Sequence, residues 1–207
     1  MAAKQLILAS KSPRRHEILN LAGMEHRILT APADESAVPF PEGRPDEYVM
    51  ALAKLKNDAV YAAFGAELGG AVILSADTVV WLPGSPRPLG KPKDRNDARR
   101  MLSSLSGREH EVLTGVMLRD TKTGGIRLFA ETTAVRFRAL ETDEIDRYVE
   151  SGDPLDKAGA YGYQSGACVF VEGIRGDYFN VVGLPVCRVA AELRALGREP
   201  GVSRETI

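Results

Sequence analysis

The sequence predicts an α/β fold in which helices flank a mixed central sheet and several loops meet at a cleft. Short apolar runs bounded by glycine and proline alternate with segments of helical periodicity, which is typical of this class. The elements do not follow a strict strand–helix–strand repeat, so a purely parallel sheet is not expected. The 207 residues are 44% hydrophobic and 27% charged, which fits one domain, or one domain with two lobes. We expect this domain to cover residues 1–197 and to be followed by a flexible tail over residues 198–207.

Seven segments are predicted to form strands because they are short apolar runs bounded by turn-forming residues. The nearly continuous apolar run at 71–76 leads into residues 77–82, which is typical of a strand in the middle of a sheet. The predicted strands cover residues 6–9, 26–30, 71–76 (a run that ends in Asp77-Thr78 and is followed by 79–82), 111–119, 127–137, 167–174 and 179–182.

Five segments are predicted to form helices from their apolar spacing and their end signals. Ser12-Pro13 supplies an N-cap and a first-turn proline, and Gly23 ends the helix that follows. Residues 31–45 hold four prolines and are predicted to form a loop. Thr142 is the predicted N-cap of the fourth helix, and Pro185 opens the last one. The predicted helices cover residues 13–22, 46–64, 96–105, 142–149 and 185–196.

Charge and cysteine content exclude several classes of protein. The formal net charge is −1, which argues against binding of nucleic acid or a membrane through overall charge but leaves room for a local basic pocket. No apolar run approaches the ~18 residues that a membrane span needs, and no signal-peptide pattern is present. For Cys168 and Cys187, which have apolar neighbours and no CxxC spacing, two buried free thiols are favoured over a disulfide. We therefore expect a cytoplasmic protein.

Several common phosphate and metal motifs are absent from the sequence. It contains no GxxxxGK[ST], GxGxxG, HExxH or GxSxG motif, and its three histidines lack the spacing of a zinc site. If the chain handles phosphate, it must use arginine, lysine, backbone amides and a metal held by carboxylates.

The first candidate site is Ser10-Lys11-Ser12-Pro13-Arg14-Arg15, where a predicted strand ends and a helix begins. Free backbone N–H groups and the positive end of the helix dipole point at one spot there. Arg14 and Arg15 could neutralise phosphate oxygens through forked hydrogen bonds. The alternative is a capped helix whose arginines are merely solvated.

The second candidate site consists of carboxylates. Asp77, followed by Thr78, comes after the buried run at 72–76. At the end of a central strand, Asp77 would point into the crevice where α/β sheets bind ligands, as a general base or a metal ligand. Asp34 and Glu35 offer further oxygens to a hard cation that keeps several waters and shares its shell with phosphate. The alternatives are an acid that starts a turn and an exposed acidic loop, and for Asp34 the exposed loop is preferred.

Lysines and a long glycine-rich loop complete the candidates. Lys54 and Lys56 face different directions on one helix, so only one of them is expected to enter a cleft. Lys91 lies in a Gly-Lys-Pro loop, which suits a phosphate contact. The loop 152–166 holds Gln164, whose amide offers a donor and an acceptor to a base edge. The alternatives are solvated lysines and a purely structural network of turns.

Eight short motifs follow one another along the chain. They are Ser10-x-Ser12-Pro13-Arg14-Arg15, Asp34-Glu35, Ala76-Asp77-Thr78, Gly90-Lys91-Pro92, Leu105-Ser106-Gly107, Thr114-Gly115-Val116, Asp156-Lys157-Ala158-Gly159-Ala160-Tyr161 and Val182-Gly183-Leu184-Pro185. This succession resembles the Maf family of nucleoside triphosphate pyrophosphatases over about residues 5–195. The resemblance implies a mixed α/β sheet in two lobes around a cleft, similar to inosine triphosphate pyrophosphatases. It also implies hydrolysis of nucleoside triphosphates to the monophosphate and pyrophosphate with a divalent cation, Mg²⁺ or Mn²⁺.

The resemblance also assigns roles to single residues. Asp77 matches the family's general base. Arg14, Thr78 and Gln164 match positions linked to substrate choice, in the form found in the branch that acts on dTTP, UTP and modified pyrimidine nucleotides. Arg15, Glu35, Lys56 and Lys91 match family positions assigned to phosphate and metal. Together with the helix start at Ser12 and the carboxylate of Asp77, we expect Ser12, Arg15, Lys56 and Lys91 to bind phosphate and Glu35 and Asp77 to bind metal. A homodimer is expected, and no nucleic-acid or membrane partner.

The chain departs from the family's pattern at two places in the glycine-rich loop. The usual Ile-Gln-Gly is Tyr163-Gln164-Ser165 here, and the usual Gly-Glu-Pro is Gly152-Asp153-Pro154. The first departure flanks the glutamine implied to read the base and so bears on base preference, whereas the second keeps the charge. The alternatives are a 7-methyl-GTP pyrophosphatase and a non-catalytic nucleotide-binding regulator of septum formation, to which the family's name points.

Overall fold

The computed structural model describes residues 4–201. Within this range the strands are β1 (Leu6–Leu8), β2 (Arg27–Ile28), β3 (Val72–Trp81), β4 (Glu109–Asp120), β5 (Ile126–Phe137) and β6 (Val171–Arg175). They form one sheet in the order β2-β1-β3-β4-β5-β6. β1 is parallel to both of its neighbours, and the other pairs are antiparallel. The predicted mixed sheet is therefore confirmed.

The helices flank this sheet on both faces. They are α1 (Pro13–Leu21), α2 (Pro45–Phe64), α3 (Arg95–Leu105), α4 (Thr142–Glu150), α5 (Tyr178–Val182) and α6 (Val186–Ala195). Short 3₁₀ turns lie at Glu35–Ala37, Asp153–Asp156, Ala158–Ala160 and Gly166–Phe170. No helix in the described part of the chain has the length and apolarity that a membrane span requires.

Two hydrophobic clusters lie on the same face of the sheet and form the two lobes. One cluster packs α1 and α6 against the first half of β3 and includes Leu19, Leu74 and Leu193. The other packs α3 and α4 against the second half of β3 and includes Val80 and Leu102. Because side chains alternate along a strand, Leu74 and Val80 point to the same side of β3. The residues that lie between the two clusters on that face belong to neither cluster, so they can form a polar site.

Helix α2 covers the opposite face of the sheet and rests directly on the backbone of β4. Its residue Val49 packs against Val79 and Leu113. Beneath it lies Gly115, where an added Cβ would stand 2.2 Å from the backbone oxygen of Val49. Only glycine leaves room for this approach. Since Gly115 pairs with Asp77 on β3, the approach sets the height of α2 above Asp77.

Two strand predictions are corrected by the structure. Residues 179–182, predicted to be a strand, belong to α5. The side chain of Asp177 caps this helix by accepting a hydrogen bond from the amide of Phe179 at 2.7 Å, and Gly183, with φ of 128°, ends it. The local cap outweighs the strand propensity of the apolar residues. The segment predicted as a strand over 167–174 begins with the turn Gly166–Phe170, so only β6 is extended.

Two smaller predictions are also corrected. The N-cap of α4 is Glu141 and not Thr142, because Glu141 and Glu144 form a reciprocal capping box. Cys168 and Cys187 are free, as predicted, but both are exposed. Cys187 lies off the buried stripe of α6, which its apolar neighbours in sequence did not indicate.

The described chain remains ordered at the start of the predicted tail. Arg198 is only 6% exposed. Its guanidinium donates to the carbonyl oxygens of Lys4 and Glu25 at 2.8 and 3.1 Å. Residues 202–207 of the predicted tail lie outside the described residues.

Replacing Gly115 by alanine is expected to destabilise the fold. The new Cβ would collide with the backbone of α2, so we expect a loss of about 3 kcal/mol in the free energy of unfolding. The matched control is Gly173→Ala on β6, where no atom lies within 4 Å of the added Cβ and the change should stay within about 1 kcal/mol. Urea denaturation of both variants measures this, and equal stabilities would contradict the packing argument.

Candidate active site

A cleft of about 1340 Å³ opens beside β3, where β1 ends and β3 continues. β1 pairs with β3 only opposite residues 72–74. Beyond them, within the described chain, this edge of β3 has no neighbouring strand until the bridge between Val80 and Leu89. The cleft wraps around that open edge. All nine site residues expected from the sequence line it: Ser12, Arg14, Arg15, Glu35, Lys56, Asp77, Thr78, Lys91 and Gln164.

The position of Asp77 differs from the sequence expectation. Asp77 lies in the middle of β3 and not at its end, and the strand that ends nearby is β1. Consecutive residues of a strand point to opposite faces, so Asp77 faces α2 whereas Thr78 faces α1 and α5. Both side chains line the cleft because the edge of β3 between these faces is open.

An ammonium group joins two carboxylates on the α2 side of the cleft. Lys56 Nζ donates to Asp77 Oδ1 at 2.5 Å and lies 3.1 Å from Glu35 Oε1. The side chain of Asp77 is 14% exposed, and that of Glu35 is 54% exposed. Lys54 instead pairs with Asp58 at 2.5 Å outside the cleft, as the helical spacing predicted. One lysine of α2 therefore contacts both acids on this side of the cleft.

The donor set fits a shared hard cation better than a closed metal cage. Glu35 and Asp77 both present carboxylate oxygens to the point that Lys56 Nζ occupies. Among residues 4–201, no group of three or more His, Cys, Asp or Glu side chains converges. Mg²⁺ is commonly bound through one or two carboxylates, with water and substrate phosphate completing its shell. The residues present fit such a site.

Tyr48 was missed by the sequence analysis and lies in the same wall of the cleft. Burial, together with the charges of Asp77 and Glu35, raises the pKa of its phenol. Tyr48 therefore stays protonated at neutral pH and can donate a hydrogen bond. Its spacing was the available signal, because Tyr48, Leu52 and Lys56 follow at intervals of four residues and all line the cleft.

Arg15 is buried and holds three segments together at the floor of the cleft. It is 8% exposed. Its guanidinium donates to the carbonyl of Gly183 at 2.9 Å, to Ser10 Oγ at 3.0 Å and to Thr78 Oγ1 at 3.2 Å. Burial lowers the pKa of Arg15, and the charge of Asp77 partly offsets this. The hydroxyl of Thr78 also contacts Thr114 Oγ1 at 2.9 Å. Arg15 and Thr78 therefore both face the cleft and hold its floor together.

Arg14 and the start of α1 face the open part of the cleft. Arg14 Nη1 donates to Asp156 Oδ2 at 3.0 Å, and both side chains are partly exposed. The side chain of Ser12, the N-cap residue of α1, makes no capping hydrogen bond. The first-turn amides and the helix dipole are therefore directed at the cleft.

The opposite wall is built by two loops that are tied to each other. Gly159 donates its amide to the carbonyl of Gly90 at 3.0 Å, which fixes the loop that carries the exposed Lys91. Gly159 has φ of 67°, and an added Cβ would stand 2.8 Å from Val80. Gln164 is exposed on the same wall. The site thus combines acids and a lysine on one side with lysine and amide groups on the other.

Comparisons with known proteins show what the chain is similar to. A family model described as a Maf-like protein matches residues 5–196. A protein named dTTP/UTP pyrophosphatase from Citrifermentans bemidjiense is 45% identical over 198 residues, which are 95% of this chain and 98% of that protein. A protein of the same name from Pelotomaculum thermopropionicum is 44% identical over 195 residues, which are 94% and 97% of the two chains. The solved structure of a nucleoside-triphosphatase / dITP/XTP pyrophosphatase from Mycobacterium abscessus aligns with a TM-score of 0.40 and 15% identity over 93% of this chain and 94% of that chain.

Two neighbouring arginines are expected to respond differently to the same substitution. Arg15→Lys removes a buried fork that serves three acceptors, so we expect a loss of about 3 kcal/mol in the free energy of unfolding. Arg14→Lys changes an exposed ion pair and should cost less than about 1 kcal/mol. Denaturant unfolding of the two variants makes the comparison. Equal losses would show that Arg15 does not hold the floor of the cleft.

Proposed function

The chain belongs to the Maf family, as its motif order predicted, and we propose that it hydrolyses dTTP and UTP to the nucleoside monophosphate and pyrophosphate. The proposal is supported by relatives named dTTP/UTP pyrophosphatase, which the chain matches over nearly its whole length. The observation that carries it is the shared cleft, in which the carboxylate of Asp77 and the guanidinium of Arg14 line one hollow. A modified pyrimidine nucleotide is a further substrate of the same class.

The triphosphate is proposed to lie against the start of α1. The first-turn amides and the helix dipole favour negative charge there. Arg14 adds a guanidinium at the cleft surface, and Lys56 and Lys91 approach from its two walls. Arg15 contributes its charge from below, since its three hydrogen bonds hold the floor. These cations would spread over the phosphate chain and stabilise the charge that develops in the transition state.

Glu35 and Asp77 are the residues that would hold Mg²⁺ or Mn²⁺, because their carboxylates converge on one point. When bound, the cation would neutralise charge on the phosphate oxygens and favour ionisation of a water. Lys56 Nζ lies at that point in the structure, so the proposed cation requires the ammonium to move away from the carboxylates. Lys56 is then proposed to contact phosphate from the same side.

Asp77 is proposed to be the general base. Its carboxylate faces the cleft from the middle of a rigid strand, which fixes the direction of its oxygens. In the proposed reaction, water attacks the α-phosphorus, Asp77 accepts a proton from that water, and pyrophosphate leaves. The neighbouring phenol of Tyr48 can donate a hydrogen bond to a phosphate or water oxygen in the same wall.

Gln164 is proposed to read the pyrimidine. It is exposed on the wall opposite α2, and its amide offers one donor face and one acceptor to a base edge. Arg14 and Thr78 are also proposed to contribute to substrate choice. Arg14 would act from the cleft surface, and Thr78 through its contact with Arg15. The expected homodimer and the cytoplasmic location stay predictions.

The test of the proposed function is pyrophosphate release from a panel of nucleotides. The panel is dTTP, UTP, CTP, GTP and 7-methyl-GTP, each with Mg²⁺ or Mn²⁺ and again with excess chelator. The proposal expects release from dTTP and UTP that the chelator abolishes. Preferred release from 7-methyl-GTP would overturn the substrate assignment, and no release from any nucleotide would favour the regulator.

Asp77→Asn is expected to lower kcat for UTP by roughly 10²–10⁴-fold, because the amide cannot accept the proton. The matched control is Asp143→Asn, which removes an exposed acid of α4 that pairs with Arg147. It should leave kcat unchanged. Steady-state kinetics with saturating Mg²⁺ measures both variants. Near-normal turnover of Asp77→Asn would refute its role as the base.

Gln164→Glu is expected to change base preference more than overall activity. The carboxylate keeps the acceptors of the amide but loses its donor, so pyrimidine recognition should weaken while phosphate contacts remain. The measured quantity is the ratio of kcat/KM for UTP to that for GTP. Equal losses on every nucleotide would show that Gln164 does not read the base.

A further inference from the structure

The loop that carries Gln164 is held by one carboxylate. Asp153 Oδ2 accepts hydrogen bonds from the phenol of Tyr148 and the hydroxyl of Ser165, each at 2.5 Å. Asp153 Oδ1 accepts from Lys157 Nζ at 3.1 Å. The donors come from α4, from the residue next to Gln164 and from the turn that follows Asp153. Both oxygens of this carboxylate are therefore used to join three parts of the wall.

The same contacts leave the backbone before Gln164 no spare room. Gly162 donates its amide to the phenol of Tyr148 at 3.2 Å, and its carbonyl oxygen lies 3.0 Å from Ser165 Oγ, whose proton is shared with the carboxylate of Asp153. A Cβ on Gly162 would stand 2.5 Å from Lys157 Cε and 2.6 Å from Ser165 Oγ. The segment 162–165 therefore cannot shift without breaking these hydrogen bonds.

The cluster is partly shielded from solvent, which strengthens its charged hydrogen bonds. The side chain of Lys157 is 13% exposed and that of Asp153 is 28% exposed. Burial opposes the charge of Asp153, but the hydrogen bonds from Ser165, Tyr148 and Lys157 outweigh it and lower the pKa of Asp153. Asp153 is thus ionised at neutral pH and acts as a strong acceptor.

The cluster also reaches the other side of the cleft. Lys157 Nζ donates to Asp156 Oδ1 at 2.7 Å, and Asp156 Oδ2 accepts from Arg14 Nη1 at 3.0 Å. A continuous chain of ion pairs and hydrogen bonds therefore runs from Arg14 on α1 to Ser165 beside Gln164. This chain connects Arg14 with the residue next to Gln164, and Arg14 and Gln164 are two of the three positions implied in substrate choice.

The two departures noted in the sequence, at Asp153 and at Ser165, meet in this cluster. Ser165 Oγ donates to Asp153 Oδ2, so the two residues belong to one interaction.

We infer that Asp153 and Ser165 are positioning residues whose hydrogen bond fixes segment 162–165, directs the amide of Gln164 and so sets base preference. This inference rests on the proposed pyrophosphatase function. Neither side chain has to touch the substrate. Small misplacements of a recognition group are costly in catalysis, up to roughly 10²-fold for about 1 Å, so loss of the hydrogen bond should be visible in selectivity.

The test compares Ser165→Ala and Ser165→Gly, which remove the hydroxyl, with Ser165→Thr, which keeps it. The readout is the ratio of kcat/KM for UTP to that for GTP. We expect a fall of roughly 3- to 30-fold in Ser165→Ala and in Ser165→Gly. In Ser165→Thr the ratio should stay within about threefold of the starting protein, because the threonine hydroxyl can still donate to Asp153. Ser104→Ala, which removes a half-buried hydroxyl that donates to Met101 on α3, is the matched control and should leave the ratio unchanged.

The outcomes separate this inference from the proposed function. A ratio that Ser165→Ala leaves unchanged would overturn the inference, as would equal losses on UTP and GTP or a Ser165→Thr variant that falls as far as Ser165→Gly. If Ser165→Ala unfolds, the comparison between Ser165→Gly and Ser165→Thr decides. If the starting protein releases pyrophosphate from no nucleotide, the proposed function fails, and the inference falls with it.

Discussion

The contact on which the rest of the site depends is the approach of α2 to the backbone of β4 at Gly115. Gly115 has no side chain, yet its close contact with α2 fixes how far the helix lies above β3. At this height the side chain of Lys56 reaches Asp77 and Glu35. The glycine in the Thr114-Gly115-Val116 motif of β4 is therefore required for the packing of α2. A glycine that carries no functional group of its own thus sets the distance between the charges of the cleft.

The cleft places charges of both signs close together, and several of them contact a partner. Arg15 is supported by neutral acceptors from three segments, whereas Lys56 is balanced by two acids. Arg14 is held by Asp156 at the cleft surface. The overall charge of −1 therefore does not indicate how the charged side chains are arranged in the cleft. Polar floor residues lie between two hydrophobic clusters, which keep the arginine away from bulk solvent.

Sequence reasoning succeeded where the signal is local. The long helix α2, the buried strand β3 and the start of α1 follow from periodicity and end signals alone. It failed for α5, where one capping aspartate and one glycine decide the structure of a short apolar segment. It placed Asp77 at a strand end because nothing near residue 77 shows that β1 stops after Leu8. The contact between Asp153 and Ser165 could not be predicted, because it depends on how the glycine-rich loop folds back on α4.

The unbroken pairing of β3 with β4 limits how the molecule can move. Ten consecutive residue pairs, from Val72–Asp120 to Trp81–Glu111, run beneath both lobes. The lobes therefore share one continuous pair of strands, and no break in this pairing offers the hinge that two separate domains have. The rim of the cleft instead carries the 3₁₀ turn Glu35–Ala37 and loop 83–92. We expect the cleft to adjust to a ligand through these rim segments rather than through the strand that carries Asp77.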